Sequence, residues 1–474
     1  MSPGKLGPTP RRYPGLSLIC TLLAVALPGR AADPDEAFAR LMVVDPGHFH
    51  AALLQKEALP GVSPTVYVYA PLGPDLLAHL NRIAQFNQRS DRPTHWLSRI
   101  YAGPDYLDRM LAERPGNIAI FSGRNRGKID AIQRALDAHI HVLADKPWII
   151  EAADFPKLER ALATARANRL AAYDVMTQRY EITAILQREL VNDPAVFGEA
   201  VKGNRQDPGI EMRSVHYLLK VVAGQPNLRP PWFFDIHQQG EGITDVGTHL
   251  VDLVQWIASP DRTIDYRRDI QVLDGRRWAT VLDLSQFQRV TGEQVYQDYL
   301  LPAVRQGRLE YFCNSSVEYI FKGTYSRLGI EWEYDAPHGA GDTELSIFRG
   351  SRSRVEVRQG AEERYTPEVY VVPGSPEAKP KLREALERRL VDLGKTYPGL
   401  SMKDLGDRFQ VTVPDVLRIG HEAHFGLVSR RFLEYVNHSA AIPQWEDSCM
   451  LAKYYITTRA VELAKVHSSA GSGR

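Results

Sequence analysis

Between Leu41 and about Pro147 the chain alternates short, nearly continuous apolar runs with longer amphipathic stretches, and few architectures accept that order. The runs are "RLMVVD", "PTVYVYA", "GNIAIFSG" and "IHVLADKP", each rich in β-branched residues. Between them stand "GPDLLAHLNRIAQFNQ", "GPDYLDRMLAER" and "RGKIDAIQRALDAH", whose apolar residues recur at helical spacing. A strand apolar on both faces must be covered on both faces. Strands of that kind separated by helices predict a doubly wound parallel sheet, assigned here to residues 38–172. "DFPKLERALATARANR" adds a helix, and "LAAYDVMTQRYE" a further strand.

After about Tyr173 the texture changes. Residues 265–370 hold long alternating stretches, among them "RLEYFCNSSVEYIFKGTYS", "LGIEWEYDA", "ELSIFRG" and "SRVEVRQG". Such alternation, with turn residues between the runs, predicts an antiparallel sheet with one solvated face. A polar helix follows ("PEAKPKLREALERRLVDLG"), then two apolar-patterned helices near Leu427–Val436 and Met450–Val466. At 474 residues the chain exceeds one ordinary core. The expectation is an α/β protein. Its second, α+β domain spans residues 173–466 on an open, mostly antiparallel sheet, before a disordered tail, 467–474.

The N-terminus is separate from both domains. Arg11 and Arg12 precede the apolar run "LSLICTLLAVAL", and "PGRAADPDE" follows it. A basic flank, about a dozen apolar residues and a small-residue exit read as a secretory signal over residues 1–31, cleaved after Ala31 or Ala32. The run falls short of the ~20 residues that span a bilayer, so no stable membrane insertion is expected after cleavage. The arginine pair also suits twin-arginine export, although Tyr13-Pro14-Gly15 lacks the hydrophobic positions of that signal. Export to the periplasm is the expectation. Lys+Arg 58 against Asp+Glu 57 gives a net charge of +1, no electrostatic footprint for nucleic acid. Cys313 and Cys449 remain, with no C-x-x-C. They read as two isolated buried thiols, with a single disulfide as the alternative.

The stretch "VVDPGHFHAALLQK" reads as a strand, a glycine turn and a helix, as a dinucleotide-binding unit opens. Its three-glycine pattern is broken. Asp45 stands at the first glycine position, Gly47 at the second and His50 at the third. Gly47 keeps the position where backbone approaches a pyrophosphate, and the helix after it would offer free N–H groups. His48, Phe49 and His50 would line the crevice. No carboxylate cluster accompanies the two histidines, so no metal site is expected. The next strand ends at Ala70-Pro71 with no acidic residue for a ribose, which leaves NAD against NADP open.

Two other stretches carry chemistry. An apolar strand ends in Asp145-Lys146-Pro147, and ligands of open α/β sheets bind at the carboxyl ends of strands. A solvated strand-end lysine would look the same. In "QQGEGITDVGTHLVDLVQW" a helix starting near Asp245 puts Asp245 and His249 at i, i+4 on one face, with Asp252 a turn beyond. A carboxylate beside an imidazole orients it and raises its basicity, as a general base requires. Gly240, Gly242 and Gly247 would let backbone and substrate approach. A helix N-terminus with a core histidine carries the same pattern. "GHEAHF" sets His421 and His424 at i, i+3, a metal face or, more simply, packing and capping. Glu241 would touch a substrate hydroxyl or cap the helix.

Together these motifs resemble the Gfo/Idh/MocA family of glucose–fructose oxidoreductase and inositol dehydrogenase. The family's marks are a Glu-Lys-Pro at the end of a Rossmann strand, here Asp145-Lys146-Pro147, and an Asp-x-x-x-His, here Asp245 to His249. "YDVMTQRYE" is similar to the family's crossing into its second domain, with Arg179 at the usual arginine. "IFRGSRSRVEVRQG" looks like that domain's late hairpin. The resemblance covers nearly the whole mature chain and looks most like an exported branch. It implies a Rossmann-like domain for NAD or NADP. Gly47, His48, Phe49, His50, Ser122, Gly123, Arg124, Asn125, Asp145, Lys146 and Pro147 would face the cofactor.

The resemblance implies oxidation of a carbohydrate or polyol. His249 takes the hydroxyl proton, Lys146 stabilises the developing alkoxide, and Asp245 holds substrate and imidazole in register. Arg179 and Glu241 are expected at the substrate. Homo-oligomers would form through the open second sheet. One rival is a glycosidase or lyase with retained NAD that oxidises its sugar transiently. Another, of a different class, is a non-catalytic sugar- or nucleotide-binding protein.

Overall fold

The computed structural model describes residues 37–222, 225–226, 228–437 and 442–471. The signal expected over residues 1–31 lies outside them. Among the described residues no helix is long and apolar enough to cross a membrane.

Six parallel strands form the N-terminal sheet: β1 (Leu41–Val44), β2 (Thr65–Ala70), β3 (Leu97–Ala102), β4 (Ile118–Phe121), β5 (His141–Ala144) and β6 (Ala172–Asp174). Their spatial order is β3-β2-β1-β4-β5-β6, so the direction of winding reverses between β1 and β4. At such a switch point the loops diverge and leave a crevice beyond the strand ends. β3 was not expected from the sequence. It is an edge strand with Leu97 61% and Ile100 51% exposed, and "LSRIYA" therefore lacks the apolar continuity of a central strand.

Helices α1 (His50–Leu53), α2 (Pro74–Gln88), α3 (Tyr106–Glu113), α4 (Lys128–Asp137) and α5 (Phe155–Ala167) flank this sheet. The first is a single turn. A face left bare by so short a helix must be covered from elsewhere. Phe425, Val428, Phe432 and Leu433 of the helix His421–Asn437 join Val43, Val68 and Ile120 in one core cluster. On the opposite face Met450 and Tyr454 join Met42, Val44, Ile129 and Leu158. Two C-terminal helices of the segment 173–466 thus pack back on the N-terminal sheet and complete its core.

The second sheet orders its strands as Ile270–Leu282, Arg308–Phe321, Thr324–Asp335, Ile210–Leu219, Thr343–Arg349, Ser353–Gln359, Glu368–Pro373, Phe409–Thr412 and Ser401–Asp404. Only Thr324–Asp335 and Ile210–Leu219 pair in parallel along that path. One face buries Tyr311, Val317, Tyr319 and Leu328 against α6 (Ile182–Val191) and α7 (Gly247–Ala258). Its other face carries ion pairs such as Arg213–Glu331 and Arg327–Glu318. The expected hairpin joins Thr343–Arg349 to Ser353–Gln359.

The last helix, Gln444–Gly471, lies across strand Ile270–Leu282 so closely that a Cβ on Gly275 would sit 2.2 Å from the Ala460 carbonyl oxygen. It runs on to Gly471, so the tail expected to be disordered from His467 begins as helix. Cys313 and Cys449 are both free and buried, and burial raises each thiol to about 12. No disulfide joins them.

Candidate active site

The ends of β1, β4 and β5 face the start of α7 across a cavity of about 200 Å³. Its walls include His48, His50, Gly123, Asn125, Lys146, Asp245, His249 and His421, with Trp232, Phe233 and Trp332 as an apolar side. Such a mixture of aromatic surface and a few convergent polar groups suits a small polar ligand. A wider groove of about 840 Å³ lies along strand Ile270–Leu282 and the last helix. It is lined by ion-paired Arg205, Asp274 and Glu318. Its acidic and basic side chains pair largely with one another, whereas the cavity at the strand ends gathers histidines, a lysine and carboxylates from several elements.

Lys146 follows β5 and reaches across the domain boundary, where its ammonium donates to Asp245 Oδ1 at 2.5 Å. Both side chains are almost fully buried. Burial alone would discharge the lysine, but Asp245 and Asp145 more than offset it and hold its pKa above the ordinary value. Burial likewise raises Asp245, and Lys146 brings it below the usual carboxylate range. The pair therefore stays charged at neutral pH.

His249 stands one turn along α7 from Asp245, yet the expected carboxylate–imidazole contact does not form, because Asp245 is committed to Lys146. Its Nδ1 is buried without a hydrogen-bond partner. Burial, then the Lys146 charge, hold His249 well below the ordinary histidine value. The sequence reading that Asp245 raises its basicity is thus corrected. The imidazole is neutral and open to a proton, but weakly basic.

His48 and His50 reach over the end of β4 to the end of β5. His48 Nδ1 lies 2.6 Å from Asp145 Oδ2, and His50 Nδ1 lies 3.1 and 3.0 Å from Oδ1 and Oδ2. Ser122 Oγ donates to the same carboxylate at 3.1 Å. Asp145 is the carboxylate partner that the sequence did not reveal, since it lies 97 residues from His48. Burial pushes His50 down to about 4, so it is neutral. Burial raises Asp145, but the two histidines outweigh it and set the carboxyl well below the usual range.

Other expected residues lie elsewhere. Phe49 turns outward, 40% exposed, with Arg82 over its ring at 5.7 Å. Arg179, expected at the substrate, forks Asp252 through Nε and Nη2 at 2.6 and 2.7 Å and gives Nη1 to Glu446 at 2.8 Å. Glu241, also expected there, pairs with Arg277 at 2.7 Å behind the cavity wall. Gly242 serves packing, not substrate approach: a Cβ there would sit 1.9 Å from the Cys313 carbonyl oxygen. His424 is buried 3.6 Å from Glu181 and does not line the cavity, as His421 does. Arg124 spans Asp45 and Asp75 at 3.7 and 3.0 Å.

The sequence reading missed several residues. Lys128 on α4 is buried and donates to Asn125 Oδ1, the Asp145 carbonyl and the Pro147 carbonyl at 2.5, 2.9 and 3.1 Å. It fixes the turn that carries Lys146, and burial lowers it to about 8. Trp232, on the short 3-10 helix Pro231–Phe234, and Trp332, on strand Thr324–Asp335, have no motif around them. Their signal would have been large aromatic residues in a domain otherwise patterned for a sheet.

Residues 186–465 match the family described as "Putative oxidoreductase C terminal domain". A crystal structure of "a putative oxidoreductase" from Parabacteroides merdae is 45% identical and superposes with a TM-score of 0.89, over 92% of this chain and 98% of that one. KijD10, a 3-ketoreductase from Actinomadura kijaniata in complex with NADP and TDP-benzene, is 14% identical at a TM-score of 0.53, over 89% and 97%. GenD2 from gentamicin A biosynthesis, in complex with NAD, is 15% identical at 0.52, over 95% and 98%. The last two show a likeness of fold alone. No curated protein matches the chain.

Proposed function

Because the chain belongs to the oxidoreductase C-terminal domain family, we propose that it is an NAD- or NADP-dependent oxidoreductase acting on a sugar, a sugar derivative or another polyol. The observation that carries this reading is the buried Lys146–Asp245 pair beside His249, assembled from both domains at the carboxyl ends of parallel strands. The cofactor and substrate classes draw support from the NADP complex of KijD10 and the NAD complex of GenD2.

The residues fit the reacting end of such a cofactor. Gly123 and Asn125 after β4, and Lys146 after β5, all border the cavity. At the pyrophosphate end the fit is altered. Gly47 N donates to Asp45 O and His48 N to Ser122 O, so the turn spends two of its N–H groups internally. Trp232 leans over Gly47, where a Cβ would meet it at 2.9 Å. The dinucleotide's contribution is acceptance of a hydride, which no side chain can supply. The protein's residues manage the proton and the charge. Lys146 hydrogen-bonds the substrate oxygen and offsets its negative charge, His249 takes the hydroxyl proton, and Asp245 keeps Lys146 charged and aimed. The aromatic wall of Trp232 and Trp332 offers a flat apolar surface to a sugar ring.

Thermal unfolding of cofactor-free protein tests the reading. NAD(H) or NADP(H) is expected to raise the melting temperature through binding to the folded state alone. No shift with any of the four would count against it. Turnover without added nucleotide, with NAD released on denaturation, would favour the transient-oxidation rival.

Export belongs to the same proposal, resting on the arginine-flanked apolar run. Protein recovered from its native cell should begin at Ala32 or Asp33. An intact Met1 would refute it. Pairing of copies through the open second sheet is part of the reading too, and light scattering that reports a monomer would remove it.

A further inference from the structure

His48, His50 and Asp145 come from the β1–α1 turn, α1 and the end of β5, and nothing in their sequence spacing brings them together. In the fold their donor atoms all lie within 4.8 Å of one another. Both imidazoles aim the same atom, Nδ1, at one carboxylate. A single hydrogen bond to each histidine would satisfy Asp145, which also accepts from Ser122. That account leaves unexplained why two neighbouring histidines converge there from one turn. Tetrahedral bonds of about 2.0–2.1 Å place ligand atoms about 3.3 Å apart, close to the 3.0 and 3.1 Å found for His50, while the 2.6 Å contact of His48 would open by a few tenths of an ångström to admit an ion.

We propose that His48, His50 and Asp145 bind a divalent transition-metal ion of the zinc class at the mouth of the active-site cavity. Two imidazole nitrogens and one carboxylate form a borderline donor set, suited to such an ion and not to calcium or magnesium, which take oxygen ligands. Three protein ligands leave a coordination position open. The His48 side chain is 29% exposed, and both histidines border the cavity, so a ligand in the cavity can reach that position. Ser122 holds the carboxylate from outside the donor set, as a hydrogen-bonding neighbour of a ligand commonly does. His421 stacks on the His50 ring with centroids 5.2 Å apart, which limits its rotation. The ammonium groups nearby are already engaged. Lys146 is neutralised by Asp245, and Lys128 donates to carbonyl oxygens and Asn125. The ion would polarise a substrate oxygen alongside Lys146.

The site goes beyond the proposed function and is tested without nucleotide or turnover, so either can fail alone. Chelator-treated full-length protein is titrated with Co²⁺, reading its visible absorption, and the bound Co²⁺ is then displaced by Zn²⁺. Saturation at one equivalent is expected, with a weakening of ~10²-fold or more in His48→Ala and in Asp145→Asn. Asp145 is buried and its variant could misfold, whereas His48→Ala removes a partly exposed ring, and near-ultraviolet circular dichroism confirms its fold. Absence of saturable binding in the wild type overturns the proposal. Wild-type affinity in folded His48→Ala does the same, and leaves a hydrogen-bonded cluster only.

Discussion

Lys146→Ala is expected to lower kcat by ~10²-fold or more while dinucleotide binding stays largely in place. The ammonium is buried at the domain boundary, so water cannot replace it next to a developing alkoxide. Its removal should also free His249. Burial and the Lys146 charge together hold that imidazole well below its ordinary value, and without the charge its pKa should rise. The acid limb of the rate profile should then move to higher pH. His249→Ala should cost a similar factor by removing the base, with that limb lost. Asp245→Asn separates the roles further. Lys146 would keep its burial but lose its main source of charge stabilisation, so its pKa should fall and the alkaline limb should move down. Wild-type turnover in both alanine variants would return these residues to a structural role.

The parts of this site that were legible in the sequence are those that follow from local periodicity. Lys146 sits at the end of a strand whose apolar run is continuous, and strand ends of such sheets face ligands. Asp245 and His249 share a helix face by their spacing. What the spacing could not convey was partner choice. Asp245 has two candidate partners, one four residues away and one 99 residues away, and the distant one wins because it carries the opposite charge. Asp145 likewise gathers His48 and His50 from 97 and 95 residues away, through hydrogen bonds that only the fold makes possible. The shortened α1 was hidden because "HFHAALLQK" has the composition of a longer helix. It stops at Leu53, and His421–Asn437 supplies the cover that a longer first helix would have given. β3 was hidden by its exposed edge.

Lys453→Met is expected to destabilise the folded protein by ~3–5 kcal/mol, the usual cost of stranding a buried charge. Lys453 is 0% exposed on the last helix. Its ammonium lies 2.8 Å from Asp174 Oδ2 at the end of β6 and 3.2 Å from Asp252 Oδ1 on α7. One side chain thus ties the C-terminal helix to both domains. The two carboxylates differ in what remains to them. Burial raises Asp252, but Arg179 and Lys453 hold it at about 2, and the Arg179 fork survives the substitution. Asp174 would keep only the Tyr454 hydroxyl at 2.7 Å, and its other oxygen has no partner already. Asp174 should therefore bear most of the loss. Methionine fills nearly the same volume, so the effect reads charge and not a cavity. The double variant Lys453→Met with Asp174→Asn should recover part of the stability, since the stranded charge is gone. Denaturant midpoints of the three proteins decide the matter. A single-variant loss below ~1 kcal/mol, the range of a solvent-screened pair, would mean that Lys453 is not the tie between the domains.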